Sequence, residues 1–312
     1  MTGARVEGRP PGATRRAKAV IDPDRPVGFF HETERGPDTA LWPTNTVLLA
    51  NRECPFRCVY CDLWKHTLDV PTPQGAIPRQ LDYALAWLPA ARQIKLYNAG
   101  NFFDAKAIPP ADHAAILERV RPFERTVIEN HPRLCDERVV RFRDRLAGEL
   151  EVAIGVETVD EAILPRLDKA MTLGDVERAV DAMRAAAIAV RAFILLPPPF
   201  ETGDIVAGAE RTVRWCFGRG CEAAVLIPLR TDSGEMPRLH ATGDARPPTL
   251  SEVEDAAAAC AAARPPGCRL FVDLWDAEAA FAGEANATRR IDRLREFNRS
   301  GGAGLPPLTA ES

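Results

Sequence analysis

No stretch of this 312-residue chain approaches the roughly 18 consecutive apolar residues of a membrane-crossing helix, so none is expected. The amino terminus also lacks the charged-then-apolar pattern of a secretory signal, and a cytoplasmic location is the expectation. Cysteine is scarce: eight residues, unevenly spread, are too few for a disulfide framework in a chain this long, which points to a reducing compartment. Neither sign of charge dominates. With 40 Lys and Arg against 44 Asp and Glu the net charge is −4, so there is no global basic field of the kind that drives nonspecific nucleic-acid binding, although a local patch stays open. No internal repeat is evident. What is present, 46% hydrophobic and 27% charged residues, suits a protein with a sizeable core. Barrels of alternating strands and helices reach this size as one domain.

Residues 1–41 are rich in Pro, Gly and Arg and show no sustained period; they are expected to form an extension that becomes partly ordered where it meets the rest. Arg5, Arg9, Arg15, Arg16, Lys18 and Arg25 make it basic, either as a solvated tail or as an arm for an anionic substrate such as RNA. From Trp42 a strand-then-helix alternation begins, the pattern of a parallel sheet with crossover helices. Strands are predicted over 46–50, 93–97, 126–129, 151–156, 190–196 and 223–227, with a possible seventh at 270–274. Helices are predicted over 79–91, 111–120, 136–146, from Gly174, over 205–217, from Thr249 and over 287–297. This gives an extension (1–41), a core domain (42–276) and a carboxyl-terminal helix and tail (277–312), with the residues from Ser300 expected to be disordered.

Directly after the first apolar strand comes Cys54-Pro55-Phe56-Arg57-Cys58-Val59-Tyr60-Cys61, three cysteines at C-x3-C-x2-C spacing. Three thiolates on so short a loop can converge on one soft metal centre without a long closure cost. Structural zinc and ordinary electron-transfer clusters want four protein ligands. Three on a 4Fe-4S cluster would leave one iron open to an outside ligand. The competing readings are a Cys3His zinc module closed by His66, or cysteines that merely pack. Cys135, Cys216, Cys221, Cys260 and Cys268 are scattered and read as small core residues, not as a second cluster.

In a parallel barrel ligands bind at the carboxyl ends of the strands. That rule singles out Asn98 to Asn101, Glu129 to His131, Glu157, Leu196 to Pro199 and Pro228 to Arg230. Glu157 follows an apolar strand and would need a cationic partner there.

The cysteine spacing, with an aromatic residue just before the last cysteine, resembles the signature of the radical S-adenosylmethionine (radical SAM) enzymes. The resemblance implies a six-stranded partial TIM barrel over about residues 42–276. It also implies a 4Fe-4S cluster on Cys54, Cys58 and Cys61, with Tyr60 beside the adenine of S-adenosylmethionine. In that family the bound S-adenosylmethionine is cleaved by one electron, from an external donor of flavodoxin or ferredoxin type, to methionine and a 5'-deoxyadenosyl radical. Asn98-Ala99-Gly100 stands where the family often carries Gly-Gly-Glu to receive the methionine amino group; the glutamate is absent here. Gly155-Val156-Glu157-Thr158 is similar to the segment of the subgroup that contains coproporphyrinogen-type oxidases, methylthiotransferases and the Elongator catalytic subunit. There a basic residue about twelve positions on contacts the cofactor carboxylate; Lys169 has that place, or is a surface lysine at a helix entrance. More narrowly, residues 97–104, 155–158 and 191–196 resemble archaeosine-synthase radical SAM subunits, which act on a transfer RNA base. A tRNA base, a small molecule or a peptide are thus the implied substrates.

Overall fold

The computed structural model describes residues 18–231 and 234–307. Eight strands form one sheet in the order of the chain: β1 (Gly28–Arg35), β2 (Leu41–Leu49), β3 (Gln93–Asn98), β4 (Arg125–Glu129), β5 (Glu149–Glu157), β6 (Ala189–Leu196), β7 (Ala223–Pro228) and β8 (Arg269–Val272). β1 pairs antiparallel with β2, and every later pairing is parallel. The helices are α1 (Ala76–Leu85), α2 (His113–Val120), α3 (Glu137–Arg143), α4 (Leu173–Ala185), α5 (Ile205–Gly218), α6 (Met236–Ala241), α7 (Leu250–Ala262), α8 (Ala277–Ala280) and α9 (Ala287–Arg299). This is the partial barrel that the alternation implies, with β8 as the seventh parallel strand.

Local chemistry sets the helix starts. Thr172 and Asp175 form a reciprocal capping box at α4, as do Thr249 and Glu252 at α7, and Asp136 and Asp204 accept from first-turn N–H groups of α3 and α5. Compared with the sequence reading, β2 begins at Leu41, five residues before the predicted strand, and three helix boundaries differ by three residues or more. α1 begins at Ala76, not Arg79: Pro78 lies in its first turn, where no N–H is needed for the helical ladder. It ends at Leu85, not Ala91, because Pro89 disfavours helical backbone at Leu88. α3 stops at Arg143, short of Leu146.

The two chain ends also differ. β1 falls inside the 1–41 extension and completes the sheet as an edge strand. Residues from Ser300 are ordered as far as they are described: Leu270 N–H donates to the Gly301 carbonyl at 3.0 Å, and Gly301 and Gly302 are buried with positive φ after α9. α9 packs against both β1 and β8, bridging the edges of the sheet. Asn298 on α9 brackets Val272, accepting from its N–H and donating to its carbonyl at 2.8 Å each.

The barrel strands turn an apolar face to the helices; inward, β3, β4, β5, β6 and β8 carry charge near their amino ends, whereas β7 contributes only Ala223, Val225 and Ile227, which pack with Phe193 and Phe271. Ile94, Leu96, Ile128, Val152, Ile154 and Ile194 join the helices in the main core. The other face carries Lys95, Arg125, Glu151, Arg191 and Arg269, all buried. Glu151 accepts from Arg125 at 2.6 Å and from Arg269 at 2.8 Å, and also from Arg191. Glu34 of β1 accepts from Arg191 at 2.6 Å and meets Lys95 at 2.5 Å. A closed charge network thus fills the barrel at the amino ends of its strands.

Candidate active site

The cysteine loop leaves the carboxyl end of β2, and its base is closed by ordinary backbone chemistry. Gln80 of α1 pins Ala50, accepting from its N–H and donating to its carbonyl at 2.8 Å each. Leu68 N–H donates to Asn51 at 2.9 Å and Glu53 N–H to Leu68 at 3.1 Å, so residues 53–67 form a loop with joined ends. Lys18 reaches across this junction to Glu53 and Asp69, each at 2.7 Å. Within the loop, Val59 N–H donates to the Leu167 carbonyl at 3.0 Å, and the Phe56 ring stacks on His131 with centroids 3.8 Å apart.

Cys54, Cys58 and Cys61 are partly buried free thiols that lie within electrostatic range of one another. Asn101 Nδ2 donates to Cys54 Sγ at 3.3 Å. Burial pushes the Cys58 thiol up to about 11 and the Cys61 thiol up to about 12. Cationic metal bound to the sulfurs would reverse that preference. Tyr60 turns its phenol towards Glu157 and Cys58, and burial, with the Glu157 carboxylate beside it, raises it well above its ordinary value.

Glu157 ends β5 at a bulge, with φ +66, a conformation that a glutamate seldom adopts. Its carboxylate is paired with Lys169, whose ammonium also donates to the Gly155 carbonyl at 2.6 Å. Both side chains are nearly enclosed, at 6% and 9% exposure. Asp168 and Ala170 flank the lysine with positive φ, so the backbone there is bent to aim it inward. Lys169 is therefore not the surface lysine of the competing reading. His131 Nδ1 accepts from Arg133 N–H, which leaves Nε2–H to donate to the Lys169 carbonyl at 3.0 Å. Burial, with the nearby Lys169 cation, pulls its imidazole down to about 4.

The structure therefore brings Cys54, Cys58, Cys61, Tyr60, Glu157 and Lys169 into one cluster, with Asn98, Ala99 and Gly100 on the adjoining strand end. His66 is exposed, at the end of a 3-10 turn over Leu63–His66, and does not join the thiols. Among the basic residues of the extension, Arg5, Arg9, Arg15 and Arg16 lie outside the described residues. Lys18 is tied to Glu53 and Asp69, and Arg25 stacks over Tyr83 at 3.8 Å. The sequence reading missed Asn51, Phe56 and Gln80. Asn51 was within reach of the strand-end rule, applied to β2; the Phe56–His131 stack had no signal in sequence.

Two observations test whether these residues fit the cofactors. Both amide atoms of Asn98 and Asn51 Oδ1 are buried without a hydrogen-bond partner among the described residues, and such atoms call for a ligand. Gly100 lies between them: a Cβ there would stand 3.3 Å from Asn51 Nδ2, 3.4 Å from Asn98 Nδ2 and 3.7 Å from Cys54 Cβ. Beside the thiols, then, a bare backbone position adjoins unsatisfied amides, and the donor set of three sulfurs matches an iron-sulfur cluster with an open iron.

A family model of the Radical SAM superfamily matches residues 49–210, more than half of the chain. The chain belongs to the radical SAM superfamily. Membership places it among iron-sulfur enzymes that use S-adenosylmethionine, and the family implies both a 4Fe-4S cluster and that cofactor. An uncharacterized protein of Methanocaldococcus jannaschii is 21% identical over 237 residues, 71% of this chain and 65% of its own length. The radical SAM chain thus spans just under two thirds of that curated relative. Among solved structures, methylornithine synthase (PylB) matches with a TM-score of 0.56 at 11% identity, covering 83% of this chain and 69% of its own. Elp3 of the archaeon Methanocaldococcus infernus, lacking residues 1–46, matches with a TM-score of 0.51 at 13% identity, covering 64% of this chain and 51% of its own. Such likenesses show the fold alone. No described helix is long and apolar enough to cross a membrane.

Proposed function

We propose that this protein generates a radical from S-adenosylmethionine and uses it to take a hydrogen atom from a substrate at the mouth of the barrel. When bound, the 4Fe-4S cluster and S-adenosylmethionine would supply one-electron cleavage to methionine and a 5'-deoxyadenosyl radical. The observation that carries this reading is the cluster of Cys54, Cys58 and Cys61 beside the unsatisfied Asn98 amide and the enclosed Glu157–Lys169 pair.

In this reading the three cysteines hold the metal centre, and Asn101 orients Cys54. The Asn98 amide and the backbone of Ala99 and Gly100 bind the polar end of the cofactor. Glu157 and Lys169 offer one acceptor and one donor at the neighbouring strand end, and Tyr60 closes the side towards β6 and β7. The protein's own contribution is to fix the reactive carbon against one substrate atom and to exclude water. A flavodoxin- or ferredoxin-type donor delivers the electron from outside. A tRNA base is the substrate that the narrower resemblance favours.

The test is anaerobic loading with iron and sulfide, followed by dithionite and S-adenosylmethionine, with 5'-deoxyadenosine as the readout beside a Cys58→Ala control. Formation by the wild type alone supports the reading. A zinc-bound, colourless protein without a cluster would sink it. Stimulation by added tRNA, lost at high salt, supports the RNA substrate.

A further inference from the structure

Above the charge network the inner face of the barrel turns aromatic. Two residues beyond Lys95 and Arg191, and so on the same strand faces, stand Tyr97 of β3 and Phe193 of β6. These strands are not neighbours in the sheet, yet the two rings meet edge to face with centroids 6.1 Å apart, across the lumen. A second pair spans the edges of the sheet: Phe30, two residues before Glu32 on β1, lies 5.8 Å from Trp275, which follows β8. Unlike the charges beneath them, these rings are not sealed. Phe30, Tyr97 and Phe193 are half-buried, as are Leu48 and Ile227, and Trp275 is 53% exposed. Trp275 also lines a cavity of about 250 Å³ with Pro228, Asp273 and Phe281 at the carboxyl ends of β7 and β8, so the wall has free volume beside it. A cavity of roughly 150 Å³ is enough to hold benzene. The charges around this wall are already engaged. Lys95 and Arg191 are held by Glu34 and Glu151, and Arg230 at the rim donates to Asp273 and to the Trp275 carbonyl. Glu129 belongs with Asn98, whose N–H donates to its carboxylate at 3.0 Å. The Tyr97 hydroxyl, by contrast, has no hydrogen-bond partner among the described residues. Burial raises its phenol above the ordinary value, so it keeps its proton and is a free donor.

We propose that this wall is the substrate site, and that it takes an uncharged planar ring with a hydrogen-bond acceptor on its edge, the ring against Phe193 and the acceptor bonded to the Tyr97 hydroxyl. Aromatic walls recognise a ring by offset stacking and edge-to-face contact, which a saturated body of the same size cannot make. A charged group would enter without a counterion, since no free cation or anion faces these rings. One polar donor in an apolar wall then fixes the ring's orientation. The proposal names a substrate class for the radical reading above and rests on it for the reaction, though binding of the ring does not need the cofactor. A base in RNA and a free heteroaromatic molecule share this chemistry.

The experiment is a fluorine NMR titration of the cluster-loaded protein, with and without S-adenosylmethionine. Its probes are para-fluorobenzamide, which is planar and uncharged with a carbonyl acceptor, para-fluorobenzoate, para-fluorotoluene and the saturated fluorocyclohexanecarboxamide. The wild type should bind the benzamide best of the four. Tyr97→Phe, which removes only the hydroxyl, should weaken the benzamide roughly threefold to tenfold and leave the toluene unchanged. Phe193→Leu should weaken both of these aromatic probes and spare the saturated amide; circular dichroism verifies that both variants are folded. Displacement of the benzamide by unfractionated tRNA supports a base in RNA as the source of the ring, and its retention supports a free molecule. No binding by the wild type, a preference for the benzoate or the saturated amide, or an equal loss of benzamide and toluene in Tyr97→Phe overturns the proposal. A wild type that shows the expected pattern yet makes no 5'-deoxyadenosine would refute the radical reading and keep this one.

Discussion

Lys169 shares its ammonium between the Glu157 carboxylate and the Gly155 carbonyl, so both ends of the β5 bulge are bound by one side chain. The pair is enclosed and lies within electrostatic range of Cys58. Each member is therefore needed by the other as much as by any ligand.

Removing one partner leaves an uncompensated buried charge. Lys169→Met is expected to destabilise the protein by about 3–5 kcal/mol, and the Glu157→Gln/Lys169→Met double variant by less than the sum of the singles. Urea unfolding checks this, and additive losses would mean that the two groups act independently.

Gly155 has no room for a side chain. A Cβ there would come 2.0 Å from both Glu157 Oε1 and Lys169 Nζ. Gly155→Ala should force the pair apart, costing about 1–3 kcal/mol, and should weaken S-adenosylmethionine binding even though it removes no contact. Calorimetric titration of the loaded variant is the check.

The charge network at the strands' amino ends makes stability depend on pH. Burial opposes ionisation of Glu151, but Arg191, Arg269 and Arg125 outweigh it and hold the carboxyl well below the usual range; Arg191 and Lys95 do the same for Glu34. Depressed carboxyls contribute stability that is complete above their unfolded value, near 4.3, and lost as pH falls below it. Arg191→Met should cost about 3–5 kcal/mol at pH 7 and progressively less below pH 4. A deficit that is the same at pH 7 and pH 3 would refute this account.

Metal loading should discriminate among the cysteines. Replacing Cys54, Cys58 or Cys61 by Ala should reduce bound iron from about four per chain to near zero, whereas Cys135→Ala should leave it unchanged. Iron and sulfide analysis after reconstitution decides the matter.

The order of barrel strands and helices was legible because their outer faces are aliphatic and their caps are local: Thr172 with Asp175, Thr249 with Glu252. β1 was not. Its inward positions are Glu32 and Glu34, whose partners Lys95 and Arg191 stand far along the chain, so no apolar alternation betrays the strand. The cysteine triad was readable for the opposite reason, since its ligands lie on one short loop. Glu157 was expected to need a cation, and Lys169 was nominated for the cofactor carboxylate; that each would hold the other depends on the turn over 163–171 and could not be seen in spacing.

The polar inner face has a consequence for how the strands find their places. Shifting β6 by one residue in its pairing with β5 would turn Arg191 out among the aliphatic helix faces and bring Ile194 against the carboxylates of the barrel interior. A one-residue slip of β3, β4, β5, β6 or β8 strands a charge in oil. The arginines and glutamates thus act as a proofreading device, penalising slipped alignments more heavily than they reward the native one.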